Sequence, residues 1–96
     1  MRVDQEIYSD DFWEALKERL AGKVDIQLGK NGVTDSFINE VKVRLRKQGV
    51  VKVRVLRSFR RSSGLDVREI AEEVAEKTGA VLYEVRGFTF ILLRKG

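Results

Sequence analysis

The 96-residue sequence contains no cysteine, no histidine and no proline. Without cysteine the chain can form no disulfide and has no thiol nucleophile. Without histidine it lacks the side chain that most often serves as a general base or metal ligand near neutral pH. No apolar run approaches the ~20 residues of a membrane-spanning helix, and residues 1–12 lack the apolar core of a secretory signal. We therefore expect one cytoplasmic domain over residues 1–96, with residues 1–8 as an N-terminal arm and no metal, cofactor or membrane partner.

Positive charge is concentrated in one segment of the chain. The net charge is only +4, yet residues 41–64 contain nine Lys and Arg and no Asp or Glu. The segments on either side, residues 1–40 and 65–96, are both net negative. A cluster of one sign creates a local field that attracts polyanions. The distribution favours a nucleic-acid partner over a face that merely solvates the protein.

Catalysis is the least favoured class of function. The chain has no histidine or cysteine to act as base or nucleophile. Its glycine turn lacks the G-x-x-x-x-G-K-[ST] pattern of nucleotide hydrolases. A Mg²⁺-dependent nuclease needs clustered carboxylates, whereas the acids here follow two predicted helices as solvated faces do. We expect a protein that is not an enzyme.

Apolar periodicity predicts the order helix-strand-helix-strand-helix-strand-strand. The first helix begins at Ser9-Asp10-Asp11, and its apolar face includes Phe12, Leu16 and Leu20. The other predicted elements are a strand over 24–28, a helix over 34–48, a strand over 50–57, a basic loop over 57–64, a helix over 66–78, and a hairpin of strands 80–86 and 88–94. The middle helix should bury Phe37, Ile38, Val41 and Leu45. Asp66 and Glu69 form a capping-box pattern at the start of the last helix.

The pattern also predicts how these elements assemble. Strand-helix-strand units favour parallel pairing with right-handed crossovers, so the second and third helices should cover the same sheet face. The last strand is apolar on both sides, with Phe88, Phe90 and Leu92 facing one way and Ile91 and Leu93 the other. Such a strand should be central and covered on both faces. The first helix, with Trp13, is the only element left for the second face.

The turn Gly29-Lys30-Asn31-Gly32 is a candidate phosphate site. Glycine allows close backbone approach, and a helix N-terminus presents free N–H groups and a positive dipole end. Lys30 would add a charge and Asn31 a donor. The same pattern is also typical of a strand-to-helix turn that needs glycine for geometry alone, so both interpretations stay open.

The helix that follows the turn has a polar stripe. At 100° per residue, Asn39, Lys42 and Arg46 lie in one row beside the apolar face, and a nucleic-acid backbone crossing the turn would meet them in succession. Arg44 follows Glu40 by four residues and should form an ordinary intrahelical ion pair. Val43 is predicted to be exposed, which makes it a candidate contact with a partner.

The stretch VDIQLGKNGVTDSFINEV resembles the CRM domain, named for chloroplast RNA splicing and ribosome maturation. VVKVRV after Gly49 and TGAVLYEVRGFTFILLRKG at the end match the same family in the same order, so the resemblance covers about residues 10–96. It implies an α+β fold, a two-layer structure with a four-stranded mixed sheet in the order 1-2-4-3, similar to the C-terminal domain of translation initiation factor three. It also implies RNA binding in large-subunit maturation, with Gly29, Lys30, Asn31 and Gly32 on phosphate as in the glycine turn of a KH domain.

The leading interpretation is therefore a non-catalytic protein that binds ribosomal RNA, by shape more than by sequence. The predicted contacts are Gly29, Lys30, Asn31, Gly32, Asn39, Lys42, Arg46, Lys52, Arg54, Arg57, Arg60 and Arg61. Phe59 is a candidate for base stacking, with a core contact as an equal alternative. Two other hypotheses remain: a DNA-coating protein of the chromatin type, which would bind as a dimer, and a protein-interaction scaffold. Weak self-association is left open.

Overall fold

The computed structural model describes residues 10–95, so the predicted arm over residues 1–8 lies outside the described residues. Four helices and four strands follow one another in this part of the chain. They are α1 (Asp10–Leu20), β1 (Ile26–Leu28), α2 (Asp35–Gln48), β2 (Val50–Val55), α3 (Arg57–Ser63), α4 (Val67–Thr78), β3 (Val81–Arg86) and β4 (Thr89–Leu93). The predicted order is confirmed with one exception. A basic loop was expected over residues 57–64, but most of this segment forms the helix α3.

The strands form one four-stranded sheet in the order β1-β2-β4-β3. β1 and β2 are parallel, whereas β4 is antiparallel to both of its neighbours. The last strand is thus central, as its two apolar faces predicted, and the α+β fold with a mixed sheet is confirmed. A bulge between Leu82 and Glu84 interrupts the pairing of β3 with β4.

The main core lies between one sheet face and helices α2 and α4. The apolar stripe of α2 is buried as predicted: Phe37, Ile38, Val41 and Leu45. Alternate residues of β2 and β4 meet this stripe, because successive side chains of a strand point to opposite faces. The capping box of Asp66 and Glu69 is present at the start of α4, which confirms its predicted boundary.

Helix α1 covers part of the second face. Phe12 and Leu16 pack against Val50, Ile91 and Leu93 in a smaller apolar cluster, so the predicted role of α1 is confirmed. Trp13 contributes from the rim: its side chain is 39% exposed and meets the Phe12 ring edge-on.

Two residues that were predicted to face the core are exposed instead, so these two predictions are wrong. Leu20 is 38% exposed and Phe88 is 55% exposed. Leu20 is the last residue of α1, and Phe88 precedes β4 in the hairpin turn, so neither lies between two packed layers.

A buried polar cluster joins α1 to the sheet and to the end of α2. The guanidinium of Arg19 donates to the carboxylate of Asp25 (Nε to Oδ2, 2.9 Å), and the two side chains are 2% and 3% exposed. Gln48 and the backbone N–H of Lys52 donate to the same carboxylate. Burial raises the pKa of Asp25, but these hydrogen bonds outweigh it and hold the pKa below its usual value.

Lys52 belongs to this cluster, and its position shows that its predicted contact with RNA is wrong. Its side chain is buried, and its Nζ donates to the carbonyl oxygen of Arg19 at 2.8 Å. The alternation in β2 correctly predicted that Lys52 lies on the other sheet face from Val51 and Val53. That face is covered by α1 at this position, so the side chain is buried. Lys52 is therefore not available to RNA, and its role in the structure is to join β2 to the end of α1.

Candidate nucleic-acid interface

The glycine turn connects β1 directly to the N-terminus of α2. The N–H of Gly32 donates to the carbonyl of Gly29 at 2.9 Å, which leaves Lys30 and Asn31 exposed at the tip. Gly32 has φ +77°, a conformation that favours glycine. Two residues later Thr34 caps α2 by accepting from the N–H of Phe37 at 3.0 Å. The turn thus presents a cation and an amide close to the positive end of the helix dipole.

Phe59 of α3 packs under this turn. A Cβ atom built on Gly32 would lie 3.0 Å from Cε1 of Phe59, and the ring packs against the main core. Of the two alternatives for Phe59, the structure supports the core contact. Gly32 is required both for its backbone angle and because this ring occupies the space of a side chain.

Helix α3 places three predicted cations beside the turn. The N–H of Leu56, the residue before α3, donates to the carbonyl of Leu28 at 2.9 Å, so α3 begins next to the end of β1. The helix is only seven residues long and ends at Gly64. Its cations are Arg57, Arg60 and Arg61, with Arg60 and Arg61 in the last turn, where positive charge complements the dipole.

Two more arginines lie at the same end of the sheet. Arg54 of β2 pairs with Thr89 of β4, which pairs in turn with Arg86 of β3. Both arginines are exposed, and residues in register share a sheet face. We define the turn-end surface as the glycine turn together with Arg54, Arg57, Arg60, Arg61 and Arg86.

The remaining predicted cations lie at the other end of the fold. Helix α2 starts at the turn and, with 14 residues, runs back about 21 Å. Arg46 lies in its last turn, where the guanidinium of Arg94 donates to the Arg46 carbonyl at 3.1 Å. Both line a shallow concavity of about 250 Å³ with Lys42 and Lys95. We call these four residues the far-end surface; exposed Asn39 lies on α2 between the two surfaces.

Acidic side chains near the turn are partly neutralised. Glu40 lines the concavity around the glycine turn, but its carboxylate pairs with Arg44 at 3.1 Å, as the spacing predicted. Asp35, in the first turn of α2, is exposed. Val43 is also exposed, as predicted. A phosphate at the turn would therefore meet Lys30 with one neighbouring carboxylate already paired.

The sequence interpretation missed Arg86, Phe88, Arg94 and Lys95. The ring of Phe88 is exposed in the hairpin turn, and Cζ of Arg60 lies 3.7 Å from its centroid. The predicted hairpin at Gly87 and the sheet order 1-2-4-3 together would have placed Arg86 and Phe88 beside the end of the second strand. Arg94 and Lys95 follow the last strand, which the same order brings next to Gly49.

The described residues offer little to other kinds of site. Within residues 10–95 no helix is long and apolar enough to cross a membrane. The same part of the chain holds no group of three or more His, Cys, Asp or Glu that could bind a metal ion. The two basic surfaces are the features that stand out from this fold.

Comparisons with known proteins place the fold in a family. It is an α+β domain with a glycine turn between its first strand and second helix, and residues 10–94 match the model of the CRS1/YhbY (CRM) domain. The chain belongs to that family, which is an RNA-binding family. The predicted resemblance is confirmed.

One solved structure shows the same architecture. It is the solution structure of a hypothetical protein from Staphylococcus aureus described as a candidate RNA-binding protein, with a TM-score of 0.62 and 20% sequence identity. The match covers 90% of this chain and 85% of that chain. At this identity the likeness establishes the fold alone. A comparison with curated proteins finds no match.

Proposed function

We propose that the protein is a non-catalytic, cytoplasmic RNA-binding module that acts on ribosomal RNA during large-subunit maturation. The observation that carries the proposal is that the glycine turn, α3 and the arginines of β2 and β3 lie at one end of the sheet. Family membership supports RNA as the ligand. The ribosomal assignment rests on the resemblance of the GKNG turn and its flanking strands to ribosome-maturation proteins.

In this proposal the backbone of the RNA crosses the glycine turn. Backbone N–H groups of residues 29–32, the ammonium of Lys30 and the amide of Asn31 would contact phosphate oxygens. Arg54 and the arginines of α3 would neutralise neighbouring phosphates. Along α2 the strand would continue past Asn39 to Lys42 and Arg46. Contacts of this type fix position rather than sequence, so recognition would depend mainly on the shape of the RNA.

The test is a set of binding isotherms across a salt series. Fluorescence anisotropy would compare a structured ribosomal RNA fragment with duplex DNA of equal length. If about five phosphates are neutralised, log K should fall with log salt at a slope of roughly −3.5 to −4.5. Tighter binding to RNA with such a slope would support the proposal. Equal or tighter binding to DNA, together with a dimeric mass, would favour the chromatin-type alternative, and no binding to either would favour the scaffold.

The ribosomal assignment needs its own experiment. Tagged protein from its own cells would be sedimented through a sucrose gradient at low salt. Co-migration with large-subunit precursors, lost when Lys30 and Arg57 are replaced by alanine, is the expected result. Migration at the top of the gradient with an intact binding surface would contradict the ribosomal assignment while leaving RNA binding in place.

A further inference from the structure

Phe88 is the most exposed of the large apolar side chains described. It lies in the turn between β3 and β4 and is 55% exposed. A phenylalanine in this position buries little apolar surface and contributes little to the core. Its neighbours at this end of the sheet are the arginines of the turn-end surface. The ring therefore offers an aromatic face within a cationic surface.

The ring is held in a defined position. The N–H of Val55 donates to the carbonyl of Phe88 at 2.8 Å, which anchors the turn to β2. Arg60 lies over one face of the ring, with Cζ 3.7 Å from the centroid, and its Nε also donates to the carbonyl of Val55. The backbone of Val55 thus anchors both the turn that carries the ring and the guanidinium that lies over it. Such preorganisation lowers the cost of ordering a binding group.

The ring also lies within reach of the glycine turn. The carbonyl of Phe88 is hydrogen-bonded to Val55 at the end of β2. The residue after Val55, Leu56, is hydrogen-bonded to Leu28 at the end of β1, just before the glycine turn. Neighbouring strands are about 4.8 Å apart, so two strand spacings put Phe88 roughly 10 Å from the end of β1. A KH-type glycine loop clamps about four backbone nucleotides. One RNA segment can therefore contact the turn and reach the ring.

We propose that Phe88, with Arg60 behind it, is a stacking platform for an unpaired nucleobase of the RNA strand that crosses the glycine turn; this inference rests on the proposed function. The base would lie on the ring face opposite Arg60. Aromatic rings stack on every base, so the platform would tolerate sequence variation. It would instead make the protein prefer RNA with an unpaired segment beside the clamped backbone over a continuous duplex.

The surrounding charge favours a nucleobase over an apolar protein surface as the occupant. Arg60 lies against the ring, and Arg57 and Arg61 belong to the same short helix. An apolar partner covering Phe88 would desolvate these cations without compensating them. An RNA strand supplies the base for the ring and phosphates for the arginines at the same time.

Two substitutions separate stacking from other roles of the side chain. Phe88→Leu keeps an apolar side chain but removes the aromatic face, and Phe88→Tyr keeps the ring. The probes are a 12-nucleotide single-stranded RNA and a 12-base-pair RNA duplex. Phe88→Leu should weaken single-strand binding about tenfold, equivalent to about 1.4 kcal/mol, and leave duplex binding unchanged. Phe88→Tyr should behave as wild type on both, and no variant should change the salt slope, because no charge is removed.

Abasic positions in the single strand provide the direct test. Wild type should lose affinity for a strand with abasic positions, whereas Phe88→Leu should be insensitive to them, since the stacking contact is already absent. Equal weakening of both probes by Phe88→Leu, or unaltered single-strand binding, would overturn the platform while the proposed function stands. Wild-type protein that binds neither RNA would overturn both. Unchanged thermal unfolding of Phe88→Leu shows that its fold is intact.

Discussion

Gly32 and Phe59 are in direct contact, although one belongs to the glycine turn and the other to α3: a Cβ atom at Gly32 would lie 3.0 Å from the Phe59 ring. The contact couples the geometry of the turn to the position of the arginines on α3. A change in either residue should therefore alter the turn and the basic helix together.

Replacing Gly32 with alanine should lower both stability and RNA affinity. Alanine at φ +77° costs roughly 1–2 kcal/mol, and the new methyl group must displace the Phe59 ring. We expect a loss of about 2–3 kcal/mol in the free energy of unfolding, measured by urea denaturation, and several-fold weaker RNA binding at a concentration where the protein is folded.

Gly79→Ala is the matched control for this substitution. Gly79 has φ +72°, but a Cβ there would have no atom within 4 Å. Gly79→Ala should lose only the backbone contribution, about 1–2 kcal/mol in the free energy of unfolding, with normal RNA binding. Similar losses of stability and of affinity in the two variants would show that the Phe59 contact is not significant.

Single cation replacements should report phosphate contacts. Lys30→Ala and Lys42→Ala should each reduce the magnitude of the salt slope by about 1 without unfolding the protein. Their effects should add, because the two residues lie on different surfaces. Lys17→Ala is the control: it removes the same charge from an exposed position of α1, which contributes to neither basic surface, and should leave the salt slope unchanged. A salt slope that Lys30→Ala leaves unchanged would remove the turn from the binding site.

Lys52→Ala separates the two roles considered for this lysine. Its ammonium is buried and hydrogen-bonded to the Arg19 carbonyl, so its loss should destabilise the fold by about 2–4 kcal/mol. The salt slope of RNA binding should stay at the wild-type value at a temperature where the variant is folded. A reduced slope with unaltered stability would return Lys52 to the phosphate-binding set.

Asp25 should make the stability depend on pH in the acid range. Its pKa in the folded protein is lowered, so its contribution is fully present above the unfolded pKa of about 3.9 and is lost as pH falls through the folded pKa. Asp25→Asn should cost about 3–5 kcal/mol at pH 7, since it removes the buried carboxylate that Arg19 pairs with and leaves only the exposed carboxylate of Glu18.

Urea unfolding at a series of pH values checks this prediction. The wild-type free energy of unfolding should fall below about pH 4, whereas that of Asp25→Asn should fall less steeply over the same range. Glu14→Gln, which alters an exposed acid of α1, is the control and should follow the wild-type profile. Parallel profiles for wild type and Asp25→Asn would mean that the buried pair is not the source of the pH dependence.

Local sequence patterns were sufficient for the elements with regular periodicity. The stripe of α2 and the capping box at Asp66 depend on neighbours three or four residues away, so both were predicted with their boundaries. The central position of β4 followed from its apolar residues on both faces. In each case the information lies within the segment itself.

Features fixed by distant contacts could not be predicted in this way. Helix α3 has no apolar periodicity, and it is anchored by Phe59 under Gly32 and by the bond from Leu56 to Leu28. The burial of Lys52 depends on α1, more than 30 residues earlier in the chain. The position of Arg86 on the turn-end surface also depends on a distant contact, the register of β3 with β4. The glycine turn and the arginines of α3, in contrast, could be recognised from the local sequence.

The central position of β4 also sets the order in which the protein can be completed during its synthesis. β1, β2 and β3 are translated first, but β2 and β3 pair with β4 rather than with each other. Until residues 89–93 have left the exit tunnel, the inner edges of both strands have no partner. The sheet, and with it the placement of Phe88 against Val55, can therefore close only at the end of translation of this domain, so that the chain becomes competent to hold RNA in one late step.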